Sequence, residues 1–408
     1  MTSTSAREQL FLPYGGQVVD DDDVAAVERV LRSDWLTTGP VVSEFENAFA
    51  RHLDAPFAVA CSSGTAALHL AALAAGIGPG DIVIVPSITF AASANCVRYT
   101  GADVVFADVD PTTGMMTAET YADALSRAPA PPVAVVVVDL AGQVPDLPRI
   151  AEMSASLGMT VIEDACHALG TVYESDGKTY TVGSCAHADY CVFSFHPVKA
   201  MAMGEGGAVT CRMPSDAAQL SRFRGHGISR DAGTFANRSL AGLDDREDAN
   251  PWYYELQDLG FNYRASDIHC ALGLSQLKKL DAFLERRRTL MALYESALVD
   301  LAPNVRPIRR TPAVSVGWHL NVILIDFDEV GVSRRVVVDE LKERGIGSQV
   351  HYIPLHLQPY YTDLYGQVTL AGAENYYDRC LSLPLSVSMA DEDVMRVVDA
   401  LKAVLRPQ

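Results

Sequence analysis

Basic residues are scarce in this chain: 32 lysines and arginines stand against 51 aspartates and glutamates, a formal net charge of −19. Nucleic acid is therefore an unsuitable partner, because binding phosphates needs a basic face. An anionic ligand would need a locally positive pocket set against the overall field. No apolar run approaches the roughly 18 to 20 residues that cross a bilayer, which argues against membrane contact. The opening Met1-Thr2-Ser3-Thr4-Ser5-Ala6-Arg7 has no apolar signal core behind it, so a cytoplasmic protein is expected. Cysteine pairing is also missing. The eight cysteines are scattered with no Cys-x-x-Cys, which predicts neither a metal site nor a disulfide framework but reduced thiols, several of them inside apolar strands. Internal repeats and low-complexity tracts are absent.

What is present is an ordinary globular composition, 49% apolar and 20% charged over 408 residues, with room for two domains. Asp20 to Asp23 precede Val24, Val27 and Leu31 at helical spacing and read as an acidic helix start. From Phe57 to Thr210 apolar runs alternate with helical patterns. The runs are Phe57 to Cys61, Ile82 to Val85, Val104 to Ala107, Val133 to Val138, Met159 to Ile162 and Tyr190 to Phe193. That alternation predicts an α/β fold with a mostly parallel sheet covered on both faces, ligands sitting beyond the carboxyl ends of its strands. Residues 225 to 255 read as a long loop, a helix follows from Ala265 to Leu298, and the remainder reads as a smaller α+β unit with a strand from Val322 to Ile325 and a helix from Arg334 to Arg344. The division falls between a large domain, 1–280, and a small carboxy-terminal domain, 281–408.

Chemistry concentrates at the predicted strand ends. Lys199 lies in Phe193-Ser194-Phe195-His196-Pro197-Val198-Lys199, and 35 residues upstream stands the acidic pair Glu163-Asp164. A lysine holds pyridoxal phosphate (PLP) as an imine, and a carboxylate facing the pyridine nitrogen keeps that nitrogen protonated. Alone, the two residues would more often be a surface lysine beside a buried strand-end aspartate. The surrounding motifs favour the cofactor. Ser62-Ser63-Gly64-Thr65 follows a strand and opens a helix whose amides, with the Thr65 hydroxyl, suit a phosphate. Ser194 offers a second hydroxyl, and Gly204, Gly206 and Gly207 allow close passage of the chain. Phe90 follows another strand end and is either a ring stacked on the pyridine or a core phenylalanine. His167, three residues past Asp164, is either a ligand of the ring hydroxyl or a packed side chain.

With these motifs in this order, the chain resembles the DegT/StrS family of PLP-dependent sugar aminotransferases, which have the type I (aspartate aminotransferase) fold. The resemblance runs from Leu12-Pro13-Tyr14-Gly15 to Leu381-Ser382-Leu383-Pro384. Within the family it is most similar to the UDP-4-amino-4,6-dideoxy-N-acetyl-β-L-altrosamine transaminases of pseudaminic acid biosynthesis, through Asp139-Leu140-Ala141-Gly142-Gln143 and Gln349-Val350-His351-Tyr352-Ile353-Pro354-Leu355-His356-Leu357-Gln358-Pro359 above all. The chain departs from that pattern at Asn321, where a tyrosine is usual, and at Met201-Ala202-Met203, both of which are expected to alter the sugar pocket.

The resemblance implies that Lys199 is the Schiff-base lysine and general base, and that Asp164 pairs with the pyridine nitrogen. His167 contacts the ring oxygen, and Gly64, Thr65 and Ser194 hold the phosphate. Asn262 takes the position from which a neighbouring subunit reaches that phosphate, which implies a homodimer. Tyr14, Trp35, Leu36, Thr37, His351, Tyr352, Ile353 and Pro354 match segments around the nucleotide sugar, and Arg230, Asn321 and His356 are further substrate-binding candidates. The implied reaction passes an amino group from L-glutamate, through pyridoxamine phosphate (PMP), to the C4 ketone of a UDP-linked 4-keto-6-deoxy-N-acetylhexosamine. Alternatives are a dTDP-linked 4- or 3-keto sugar, a keto-cyclitol of antibiotic biosynthesis, or a PLP-binding regulatory protein. The last would be expected to carry a DNA-binding module, for which the charge is wrong.

Overall fold

In the computed structural model, residues 11–243, 248–313 and 315–405 are described. The amino-terminal reading, on residues 1–7, lies outside the described residues, as do 244–247 of the long loop. Nine strands come first: β1 Phe57–Cys61, β2 Ile82–Pro86, β3 Asp103–Ala107, β4 Ala134–Val138, β5 Thr160–Asp164, the hairpin β6 Val172–Ser175 and β7 Lys178–Thr181, then β8 Tyr190–Ser194 and β9 Gly207–Cys211. Seven of them form one sheet in the order β1-β9-β8-β5-β4-β2-β3. β9 alone runs against its neighbours, pairing antiparallel with β1 and β8, so the sheet is mostly parallel as expected. β9 itself escapes the strand pattern because it begins in a run of glycines.

The middle strands are buried on both faces, which is why they read as unbroken apolar runs. Side chains alternate between two cores. On β4, Ala134, Val136 and Val138 join the core beneath the helices Gly64–Ala74 and Ala92–Tyr99, while Val135 and Val137 join Phe45, Phe49 and Leu147 on the other face. Ile162 and Val161 on β5 divide the same way, so Asp164 and Glu163, which follow them, point to opposite faces.

The expected long loop carries short elements among its described residues. Short strands β10 Ile228–Ser229 and β11 Glu255–Leu256 pair, and a helical turn covers Arg238–Ala241. Glu255 fastens the loop: its carboxylate accepts the amides of Ala236 and Asn237, both at 2.8 Å, and these bonds hold its pKa down at about 2. The single helix expected from Ala265 to Leu298 is two, Asp267–Leu277 and Leu280–Leu298. At the break, Gln276 Nε2 donates to Asp23 at 2.7 Å and Lys279 Nζ lies 2.9 Å from the same carboxylate. Asp23 belongs to the acidic first turn of helix Asp21–Leu31, capped by Asp20 as expected. Beyond, β12 Val305–Pro307, β13 Asn321–Ile325 and β14 Cys380–Leu383 form an antiparallel sheet. It shares a core with the helices Leu280–Leu298, Arg334–Glu343 and Asp391–Leu405, through Tyr294, Ile323, Leu341 and Leu401 among others.

Candidate active site

A cavity of about 600 Å³ opens at the carboxyl ends of β1, β4, β5 and β8, lined by Tyr14, Gly64, Thr65, Phe90, Asp164, His167, Ser194, Lys199 and Tyr352 among others. One wall is the turn from β1 into helix Gly64–Ala74. Ser63 Oγ accepts the Ala66 amide at 3.1 Å and caps that helix. The Gly64 and Thr65 amides lie in its first turn, where the helix dipole favours an anion. Gly64 must lack a side chain because a Cβ there would lie 2.7 Å from Ser194 Cβ. Gly207 has a related reason, since a Cβ would meet Ser63 O at 2.4 Å. The close approach that Gly207 permits is thus of β9 to the phosphate-type turn.

The lysine is presented by the loop that links β8 to β9. That loop closes on itself: the Phe195 amide donates to Gly206 O at 2.8 Å and the Met203 amide to Phe195 O at 2.9 Å. Met201 and Met203 are buried in the core below it, so this departure from the subgroup pattern does not face the cavity. Lys199 sits on the cavity wall, where burial pushes its ammonium below the usual lysine range against the opposing pull of Cys166 and Asp164.

Asp164 closes β5. Its Oδ2 accepts from Ser93 Oγ at 2.6 Å, its Oδ1 accepts the Cys166 amide at 3.2 Å, and Thr89 Oγ1 lies 2.7 Å behind Ser93. His167 is held nearby. The Ala141 amide donates to its Nδ1 at 3.4 Å, so Nε2 carries the ring proton and donates to Tyr352 Oη at 3.2 Å. Burial, and next the Lys199 charge, drive its pKa well below the ordinary histidine value, which keeps the imidazole neutral. The His319 ring lies 4.5 Å away. Ser93, Thr89, His319 and Glu205 of this neighbourhood are absent from the sequence reading. Ser93 and Thr89 had no signal beyond their nearness to Phe90, since a serine in a short helix is usually a surface or cap residue.

Other candidates lie elsewhere. His351 and Ile353 line a second opening of about 780 Å³ that shares Thr89, Phe90 and Tyr352 with the first. His351 Nδ1 is 2.8 Å from Ser382 Oγ. His356 is buried, its Nδ1 2.6 Å from Ser87 Oγ and its Nε2 3.3 Å from Glu374, and Pro354 is buried beside it; neither reaches either opening. Asn321 is likewise buried, at the start of β13. Trp35 and Leu36 are exposed and Thr37 bridges to Ser266, near the start of helix Asp267–Leu277 and off the cavity wall. Arg230 is exposed, its guanidinium 6.0 Å from the Tyr254 ring. Asn262 is exposed, and its backbone bridges to Gly225 outside this chain's own cavity. All eight cysteines are free thiols.

A cavity lined by the amides of a helix start, which suit an anion, by a buried strand-end carboxylate and by a lysine fits PLP. Together with the sheet, it defines a type I PLP-dependent transferase fold. Among solved structures, the Helicobacter pylori aminotransferase PseC, involved in the biosynthesis of pseudoaminic acid, superposes with a TM-score of 0.85 at 27% identity over 97% of this chain and 99% of that one. The putative sugar aminotransferase Spr1654 from Streptococcus pneumoniae, in its PLP form, gives 0.83 at 26% identity over 97% and 98%. Among curated proteins, the spore coat polysaccharide biosynthesis protein SpsC of Bacillus subtilis (strain 168) is 37% identical over 400 residues, 97% of each chain. The chain belongs to the DegT/DnrJ/EryC1/StrS aminotransferase family, whose model matches residues 17–402. The family is PLP-dependent, and this protein is a sugar aminotransferase of it.

Proposed function

We propose that the protein transfers the amino group of L-glutamate to the C4 ketone of a UDP-linked 4-keto-6-deoxy-N-acetylhexosamine. The observation that carries the reading is that Lys199, Asp164 and the Gly64–Thr65 helix start line one cavity. PLP supplies the electron sink that acidifies the carbon bearing the transferred nitrogen. Gly64, Thr65 and Ser194 would hold its phosphate, Phe90 its ring, and His167 its ring oxygen, while Asp164 would keep the pyridine nitrogen protonated. With PLP bound, the free Lys199 amine would take the proton from the donor α-carbon in the first half and supply one to C4 of the sugar in the second. A lysine whose ammonium is disfavoured by burial suits that base role. Tyr14, His351 and Tyr352, which line the two adjoining openings, would receive the sugar. We further propose a cytoplasmic homodimer of two-domain chains, divided at 280/281, in which Asn262 of each chain reaches the other's phosphate.

The test is incubation with glutamate and a panel of UDP- and dTDP-linked keto sugars, read by mass spectrometry. A site that hydrogen-bonds a polar substituent discriminates by up to roughly 10⁴-fold in kcat/KM. A higher kcat/KM for dTDP substrates would leave the family intact and remove the UDP-sugar assignment.

A further inference from the structure

On the sheet face opposite the cavity, two acids beside the ends of β4 and β5 take no part in the proposed mechanism. Glu163 is 2% exposed and Asp139, the residue after β4, is 0% exposed. No donor reaches either Asp139 carboxyl oxygen or Glu163 Oε1 among the described residues. The titratable groups facing the pair are Asp164, the thiols of Cys191 on β8 and Cys185, and Tyr173 on β6, whose hydroxyl is already 2.8 Å from His187 Nδ1. No lysine or arginine is among them. Two carboxylates so placed do not both ionise, and one neutral acid left alone would bury an unpaired hydroxyl.

We propose that Asp139 and Glu163 share one proton, and that the resulting hydrogen bond from carboxyl to carboxylate locks the ends of β4 and β5 so that Asp164 and His167 face the cavity correctly. Burial pushes both carboxyls above their ordinary range; the contact with Glu163 raises Asp139 further, whereas bonds from Cys191 and Asp139 pull Glu163 back, which makes Asp139 the donor and Glu163 the carboxylate. The two side chains lie within reach of one another, and the backbone ties them directly to the site. The Asp139 amide donates to Asp164 O at 3.1 Å, and two residues on, the Ala141 amide is the donor to His167 Nδ1. Ala141 holds φ at 62°, a left-handed conformation that an alanine keeps only where its surroundings enforce it. Its carbonyl accepts the His319 amide at 3.0 Å, which completes the corner. Asp139 and Glu163 are therefore positioning residues.

Two measurements test this, and only the second depends on the proposed function. Infrared spectra of the purified full chain in mildly alkaline buffer, taken against Asp139→Asn, are expected to show one protonated-carboxyl stretch that the variant lacks; no such band in the native protein overturns the proposal. In PLP-loaded protein, the rate at which glutamate bleaches the visible absorption is expected to fall at least roughly tenfold in Asp139→Ala, the scale set by small misplacements of reacting groups. In Asp139→Asn, whose amide still donates to Glu163, it should stay within roughly threefold of native. A native rate in Asp139→Ala, or a loss in Asp139→Asn as large as in the alanine variant, overturns the proposal. If Asp139→Ala fails to fold, the band and the Asp139→Asn rate decide. Native protein that glutamate never bleaches would remove the aminotransferase reading and leave the infrared result to stand on its own.

Discussion

Ser93 Oγ donates to Asp164 Oδ2 at 2.6 Å, so the carboxylate at the end of β5 is oriented by a buried hydroxyl from the helix Ala92–Tyr99. A hydrogen bond to a charged group contributes about 1.5–3 kcal/mol. Ser93→Ala is expected to slow bleaching by glutamate roughly 10- to 100-fold while leaving the fold intact by circular dichroism. A native rate would mean that Asp164 is held without Ser93.

Lys199 reacts with the cofactor aldehyde only as a free amine. Because burial lowers its pKa, the amine persists to lower pH than that of an ordinary lysine, near 10.4. The rate at which stripped protein regains its yellow colour on adding PLP should rise with pH to a midpoint below that value. A midpoint at or above the ordinary lysine pKa contradicts the burial argument.

His351 predicts an acid weakness. Burial, with Lys199 nearby, lowers its pKa from 6.5 to about 4, so between those values the unfolded chain takes up a proton that the folded one refuses. The stability that goes with the neutral ring is therefore complete above about pH 6.5 and is lost as pH falls toward 4. In His351→Gln, urea midpoints measured across that window should fall less steeply, by one proton's share of the slope. An unchanged slope would show that His351 does not titrate as its burial requires.

The exposed Asn262 should matter only in an assembly. Sedimentation at assay concentration is expected to give a dimer or a multiple of it, and Asn262→Ala should weaken PLP retention without changing the monomer fold. Full activity in a monomer would remove Asn262 from the site.

Much of this was legible in the sequence because the sheet is buried on both faces. Strands such as Ala134–Val138 have no polar side to disguise them, and their ends fall within a residue or two of the apolar runs. The lysine, the aspartate and the helix-opening glycine stood out because their chemistry needs those residue types at strand ends. Ser93 and the Asp139–Glu163 contact were not legible, since each depends on elements that meet only after folding. β9 was hidden by its opening glycine, which a close approach to Ser63 requires. His356 shows the reverse case: the resemblance offers it as a substrate-binding candidate, and folding pairs it with Ser87 and Glu374, off the lining of both openings.

The most direct test of the central claim is chemical trapping. The PLP-loaded protein is reduced with borohydride, digested, and mapped by mass spectrometry. The account predicts loss of the yellow colour and one phosphopyridoxyl group, on the peptide containing Lys199, with Lys199→Ala giving neither label nor turnover. A label on another lysine, or full aminotransferase activity in Lys199→Ala, would contradict it.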